Sequence, residues 1–182
     1  NELHSVKLTS LFNTVSVDDY IDQYTNLKIR GETSGVTATV VTYTKSTETD
    51  PPTLYVEYNS AGDDKITTTF VDGENLIAYE ESVFTYPVNI PSLSTAALNC
   101  AHIGASANIE SGVYYTMGHF VYVPVQRIIL EKYSNSPTAR IGLMVNETIV
   151  SSNDDSSLLD NAQGTSNFAA PGADRYTIEL VL

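Results

Sequence analysis

The chain has 182 residues, in which 9 basic residues stand against 22 acidic ones for a net charge of −13. That balance argues against a protein that holds nucleic-acid phosphates by positive charge, and a single cysteine, Cys100, excludes a disulfide scaffold. Hydrophobic residues make up 42% of the chain, enough to build a core, and no apolar run approaches the roughly 20 residues that cross a bilayer.

Helical patterns are confined to two short segments of the first half. In the first, residues 16–26, Ser16 can cap a helix, and Asp18 and Asp19 suit the positive end of its dipole. A second helical pattern surrounds residues 74–81. Neither is long enough to dominate the fold.

Strand patterns fill the rest of the first half. β-branched and aromatic residues gather at 27–30, 36–44, 53–58 and 66–70. Glycine-rich and proline-containing turns separate these runs. Such closely spaced short strands predict a small β-roll or barrel over residues 1–81. Residues 82–100, with two prolines among Ser, Thr and Ala, are predicted to form a linker or crossing segment.

The second half, residues 101–182, is predicted to be an antiparallel, sandwich-like β module. Its strand runs are 101–109, 112–117, 119–130, 140–145 and 175–180, and Gly118 between two of them predicts a hairpin. A long acidic loop, 151–174, interrupts the module. The strand pattern 176–182 stops without a tail, which predicts that the chain is a fragment of a longer protein. The predicted fold class is therefore all-β.

Residues that could carry chemistry are scattered. His4, His102 and His119 have no nucleophile motif near them, so no catalytic residue is predicted. Three separate histidines and one cysteine do not provide a zinc site, and Cys100 is expected to be a buried, inert thiol. No enzyme activity and no cofactor are predicted.

Calcium is the one metal with candidate ligands. Asp154, Asp155 and Asp160 offer carboxylate oxygens, as do Asp72 and Glu74 around Gly73. Neither group has the regular spacing of a calcium loop. A solvated acidic loop is therefore the favoured interpretation.

The C-terminal part resembles a known family. Residues 142–150 are GLMVNETIV and residues 151–175 are SSNDDSSLLDNAQGTSNFAAPGADR. With the run GVYYTMGHFV at 112–121, these stretches resemble a domain-of-unknown-function family of tailed-phage virion proteins of marine cyanophage type, described as tail fibre or baseplate structural proteins. In that family a DxSLLDxAxGxxNxAAPGADR segment follows a GLxVxExIV strand. The run GETSGVTATV at 31–40 is similar to a small β module of marine phage structural proteins.

The resemblance implies a structural or assembly component of a phage virion, located in its tail, baseplate or fibre, which acts through protein–protein packing. It implies other virion proteins as partners and a homo-oligomer, with a trimer favoured by analogy with phage fibres. The family offers no catalytic residues to carry over. A receptor- or carbohydrate-binding β module, with or without calcium, is the alternative, and a polysaccharide hydrolase is a third.

The loop 151–174 is predicted to be a structural latch that packs against a neighbouring subunit. Ser156 or Ser157 can cap a short turn, and Asp174 and Arg175 can form a local ion pair. Glycine and proline set the bends of the loop. The predicted assembly residues are Leu158, Leu159, Asp160, Gly164, Pro171, Gly172, Asp174 and Arg175.

Overall fold

The computed structural model describes residues 2–79 and 89–182, and the fold is all-β as predicted. Strands account for 46% and helices for 6% of the structure. The helices are the 3-10 segments Val17–Asp19, Ile21–Tyr24 and Ser156–Leu158. The strands, in chain order, are β1 (Glu2–Lys7), β2 (Leu11–Phe12), β3 (Val15–Ser16), β4 (Lys28–Gly31), β5 (Thr37–Thr44), β6 (Thr53–Ser60), β7 (Asn75–Tyr79), β8 (Leu93–Ser94), β9 (Ala101–Ile109), β10 (Gly112–Thr116), β11 (His119–Val123), β12 (Gln126–Glu131), β13 (Met144–Val150) and β14 (Arg175–Val181).

Eight of the strands form one sheet in the order β12-β9-β1-β6-β5-β4-β7-β8. The pairs β10–β11, β13–β14 and β2–β3 form separate two-stranded antiparallel sheets. The central strand β1 pairs antiparallel with both β6 and β9. Four of the seven neighbouring strand pairs in the large sheet therefore join strands that are not consecutive in the chain.

The chain divides into two compact units. The first comprises Asn1–Ser106 and Ile129–Thr138, and the second comprises Ala107–Ile128 and Ala139–Leu182. These units differ from the predicted modules 1–81 and 101–182, because residues 101–106 and 129–138 belong to the first unit. Of the predicted linker 82–100, residues 82–88 lie outside the described part, and Leu93–Ser94 forms β8.

The core of the first unit lies on one face of the large sheet. Alternate residues of its strands point inward, so that Ile29 is buried between the half-exposed Lys28 and Arg30. Burial of this kind is the main source of stability for such a sheet. The core includes Val6, Leu8, Ile21, Tyr24, Ile29, Val36, Val40, Leu54, Val56, Phe70, Leu76 and Leu93.

The helix predicted over 16–26 is wrong in type and in its cap. Two 3-10 turns occupy the segment, and Ser16 makes no side-chain capping hydrogen bond. The segment is held instead by two tyrosines: the Tyr20 hydroxyl donates to the Ser92 carbonyl at 2.9 Å and the Tyr24 hydroxyl to the Pro91 carbonyl at 2.7 Å. Burial of these rings determines the local backbone.

Two further patterns of the first half were misleading. Residues 66–70 form no strand, because the Asp64 carboxylate accepts hydrogen bonds from the backbone N–H groups of Ile66 and Thr67, both at 2.9 Å, and turns the chain. The helix predicted around 74–81 is wrong where it can be compared, since Asn75–Tyr79 is strand β7, paired with β4. Residues 80–81 of that prediction lie outside the described part.

The second unit has a small core. Val121, Val123 and Leu180 are buried together, and Ile109, Tyr114, Leu143 and Ile178 pack against them half-buried. The strand predicted over 140–145 begins only at Met144 and extends to Val150, where it pairs with β14. The predicted run 119–130 divides into β11 and β12 around Pro124, which cannot donate to a strand ladder.

Candidate assembly surface

The hairpin β10–β11 turns tightly at Met117 and Gly118. Both have a positive φ, 50° and 84°. Positive φ at both central residues characterises a type I′ turn, whose twist matches that of the flanking strands. The hairpin predicted from Gly118 is thus confirmed, with Thr116 paired to His119 at the turn.

The two faces of this hairpin differ in burial but not in apolar character. Val121 and Val123 point into the small core of the second unit. The opposite face presents Val113 beside Tyr122 and Tyr115 beside Phe120. Phe120 is 79% exposed and Tyr115 68% exposed, with their ring centroids 5.2 Å apart. We name this surface, formed by Val113, Tyr115, Phe120 and Tyr122, the apolar face.

Most of the large exposed apolar side chains of the described chain lie in the second unit. Extended exposed apolar surface on a soluble protein indicates a contact site for another molecule. The side chains concerned are Val113, Tyr115, Met117, Phe120, Tyr122, Val125, Ile141, Met144, Val145, Ile149, Phe168 and Tyr176.

The loop after β13 is ordered by its own carboxylates. Asp154 accepts hydrogen bonds from the Ser151 N–H at 3.0 Å and from the Ser151 hydroxyl at 2.8 Å. Asp155, rather than either predicted serine, caps the 3-10 turn Ser156–Leu158, with its carboxylate accepting from the Ser157 N–H at 2.9 Å. The pKa of the Asp154 carboxyl is lowered by its hydrogen bonds from Ser151, and that of Asp155 by its bonds from Ser157.

The same loop closes on itself by backbone pairing. Leu158 is buried, and its carbonyl accepts the Gly172 N–H at 2.8 Å. Leu159 forms a bridge with Pro171. Asp160 exchanges backbone hydrogen bonds with the alanine pair 169–170, at 2.8 and 2.9 Å. This closure, which we call the latch, brings together the predicted assembly residues Leu158, Leu159, Asp160, Pro171 and Gly172. Their packing against a neighbouring subunit stays a prediction.

Of the remaining predicted residues, Gly164 lies midway between the paired segments 158–160 and 169–172, whereas Asp174 and Arg175 lie at the C-terminal end of the loop. Gly164 has a φ of +81°, a conformation that favours glycine. Arg175 does not pair with Asp174 as predicted. Its guanidinium lies 3.9 Å from the Asp155 carboxylate, while Asp174 is exposed.

The calcium candidates do not converge. Asp154, Asp155 and Asp160 each accept hydrogen bonds from neighbouring backbone N–H groups, the last from Ala162 at 2.8 Å. Across residues 2–79 and 89–182, no three acidic, histidine or cysteine side chains come together as a metal site. Asp72 and Glu74, the other candidates, also accept backbone hydrogen bonds.

Each histidine has its own neighbours, and the cysteine is buried. His102 contacts the Asn99 carbonyl at 2.7 Å, His4 lies against the Tyr58 ring, and His119 against Tyr176. Cys100 is buried as predicted. Burial raises the pKa of its thiol to about 12, which makes it a poor nucleophile at neutral pH.

One polar cluster of the second unit escaped the sequence analysis. The Tyr176 hydroxyl donates to the Glu147 carboxylate at 2.6 Å, which raises the pKa of Tyr176, and the His119 ring lies 5.9 Å from the tyrosine ring. His119 and Tyr176 line a shallow depression together with Phe120 and Tyr122. Strand register brings them together, and no spacing in the sequence indicates it.

The structure also assigns a role to Glu74. Although it is buried, its carboxylate accepts hydrogen bonds from the N–H groups of Thr33, Ser34 and Val71 at 2.8–3.1 Å. Hydrogen bonds to a carboxylate are stronger than those between neutral groups. Glu74 therefore holds the turn after β4 against the segment that precedes β7. This is a structural clamp and not a binding site.

A family model matches the C-terminal part of the chain. Residues 98–182 match the model of a domain of unknown function, DUF4815. No curated protein and no solved structure matches the chain. Among the described residues, no helix has both the length and the apolar character needed to span a membrane.

Proposed function

We propose that the chain is a structural component of a bacteriophage virion, of its tail, baseplate or fibre, and that it acts by packing against other proteins and not as an enzyme. The family resemblance of the loop and hairpin motifs suggests the virion. The packing role is supported by the apolar face, which is the observation that carries the proposal. Its partners on this proposal are other virion proteins and further copies of the chain.

Physical reasoning links the apolar face to packing. Aromatic rings such as Phe120 and Tyr115 contribute large apolar contact areas at interfaces, with little loss of side-chain entropy. Leaving such rings in water forgoes the free energy of burial, about 25 cal/mol per Å² of apolar surface. A protein that assembles recovers that free energy at its interface. The loop 151–174 is held by its own backbone hydrogen bonds, so it can offer an ordered surface of the same unit to another protein.

The experiment is to locate the chain in particles. Phage particles produced from the genome that encodes the chain are purified by density gradient and analysed by quantitative mass spectrometry and immunogold labelling. We expect the chain at a fixed copy number per particle, with label on the tail or baseplate. Its absence from purified particles that contain all other tail proteins would refute the proposal.

A receptor- or carbohydrate-binding role is the second candidate, and the depression beside His119 favours it. Its lining combines aromatic rings with the hydroxyl of Tyr176, which donates to the neighbouring Glu147 carboxylate. Sugars bind on aromatic rings flanked by hydrogen-bonding groups.

A glycan array, probed with and without chelator, tests this second role. Binding that Tyr176→Phe abolishes and Tyr114→Phe retains would support it, since only Tyr176 donates to Glu147. Loss of the signal in chelator would identify a calcium-dependent module. An array without signal in either condition would eliminate the candidate.

A further inference from the structure

We propose that the outer edge of β10 is a self-association site, where β10 of a second copy of this chain adds antiparallel and extends the apolar face. This inference rests on the proposed assembly function and names one partner for it. It follows from three features of the hairpin: an open backbone edge, the absence of protecting residues, and the absence of charge.

The backbone edge is open because of the hairpin register. In a hairpin with a two-residue turn, the pair that flanks the turn is hydrogen-bonded, and hydrogen-bonded and non-hydrogen-bonded pairs alternate from there. Thr116 and Tyr114 thus bond to β11, whereas Val113 and Tyr115 direct their N–H and C=O groups away from it. Among the described residues, β11 is the one strand that pairs with β10.

No feature of β10 protects this edge from another strand. Natural edge strands carry lysine, proline, bulges or inward charges that prevent pairing between copies. The sequence of β10 is GVYYT, which contains none of these residues, and its register with β11 runs without a bulge. Its β-branched and aromatic residues are also those that favour strand pairing.

Charge favours a second copy as the occupant. The chain carries a net charge of −13, so two copies repel each other over most of their surface. Residues 111–126, however, contain no Asp, Glu, Lys or Arg. A basic partner would find no carboxylate within this stretch, whereas two copies meet there without opposing like charges.

The geometry of a symmetric pair follows from the edge. A twofold axis through Tyr114 places Val113 of each copy opposite Tyr115 of the other, in the hydrogen-bonded arrangement that their outward N–H and C=O groups require. All of Gly112–Thr116 is then paired. The two apolar faces become one face of a four-stranded sheet, with Tyr115 beside the Val113 of the second copy.

The test is sedimentation equilibrium of the 182-residue chain at concentrations from about 1 to about 100 μM, with variants of the edge and of the face. Val113→Pro removes an N–H that points away from β11, so the hairpin keeps its own bonds. We expect the wild-type chain to dimerise and Val113→Pro to weaken the dimer about thirtyfold, since two intermolecular hydrogen bonds are lost. Tyr115→Lys places a charge opposite Val113 of the second copy and should weaken the dimer similarly.

The matched control is Ile66→Lys, because Ile66 is an exposed apolar residue of the first unit, 82% exposed against 68% for Tyr115. It should leave the dimer unchanged. Circular dichroism and the thermal midpoint verify the fold of each variant. If Val113→Pro does not fold, Tyr115→Lys decides.

A wild-type chain that stays monomeric throughout, a trimeric mass, or a dimer unaffected by Tyr115→Lys would overturn the inference. This failure is distinct from failure of the proposed function. A monomeric chain found at fixed copy number in particles refutes only the self-association site, whereas a dimer that is absent from particles refutes only the virion role.

Discussion

The Glu74 carboxylate accepts a hydrogen bond from the Ser34 hydroxyl at 2.9 Å, across 40 residues of sequence. The same carboxylate accepts the N–H groups of Ser34 and Val71. One buried side chain thereby joins the turn after β4 to the start of β7. Its position also explains Gly31, where a Cβ atom would lie 2.3 Å from Glu74 Oε2.

Replacing this clamp is predicted to destabilise the first unit. Glu74→Gln puts an amide NH₂ where backbone N–H donors converge, so donors face each other in a buried site. We expect a loss of about 2–4 kcal/mol in the free energy of unfolding, measured by urea denaturation. The control is Glu32→Gln, at an exposed carboxylate that accepts the Asn75 amide. Equal effects of the two substitutions would contradict the clamp.

The loop latch depends on the absence of a side chain at Gly172. A Cβ atom there would lie 2.4 Å from the Leu158 carbonyl oxygen, which accepts the Gly172 N–H. Gly172→Ala should therefore open the latch and cost about 1–3 kcal/mol, with faster hydrogen exchange at Gly172 as the local measurement.

Gly142→Ala is the matched control for that change, because no atom lies within 4 Å of a Cβ placed at Gly142. Its effect should stay within about 0.5 kcal/mol. A latch whose exchange rate is unchanged in Gly172→Ala would show that the loop accommodates the methyl group elsewhere.

Acid is predicted to weaken the contact between Asp72 and the start of β9. Hydrogen bonds from the Cys100 and Asn99 N–H groups, at 2.8 and 2.9 Å, lower the pKa of the Asp72 carboxyl. Since the folded-state pKa lies below the unfolded value of about 3.9, these bonds stabilise the fold above that pH. The contribution is lost as the pH falls through the folded-state pKa.

Urea denaturation between about pH 5 and about pH 3 measures this linkage. We expect Asp72→Asn to be less stable than the wild-type chain at the higher pH, with the difference shrinking at the lower pH. The exposed Asp19→Asn is the control. A difference that does not depend on pH would assign the role of Asp72 to shape and not to charge.

The thiol of Cys100 is predicted to report global unfolding. It is buried, donates to the Phe70 carbonyl at 3.5 Å, and has a pKa raised to about 12 by burial. Alkylation by iodoacetamide near neutral pH should be slow in water and accelerate with urea in parallel with the loss of structure. A variant with Cys100→Ser and Ser136→Cys, which moves the thiol to an exposed position, should react at the same rate with or without urea. Rapid alkylation of native Cys100 would contradict the burial.

The sequence by itself determined the all-β class, the strands β5, β6, β9 and β14, and the hairpin at Gly118. These features are local, because alternating β-branched residues and a glycine with positive φ act over a few neighbours. The packing of Leu158 and Pro171 against a neighbouring subunit stays a prediction, since the structure shows their loop closing on itself, with Asp155 and not a serine as the cap.

Only the tertiary structure decided the rest. The polar-looking run ELHSVK became strand β1, because its neighbours β6 and β9 supply its hydrogen bonds and the fold buries Leu3, Ser5 and Val6. Glu74 and the pair of Glu147 and Tyr176 depend on register between distant strands, which no local spacing encodes. The apolar face likewise could not be distinguished from core in the sequence, since both faces of β10–β11 carry apolar residues. Burial, a property of the folded chain, separated the face that packs inward from the one left exposed.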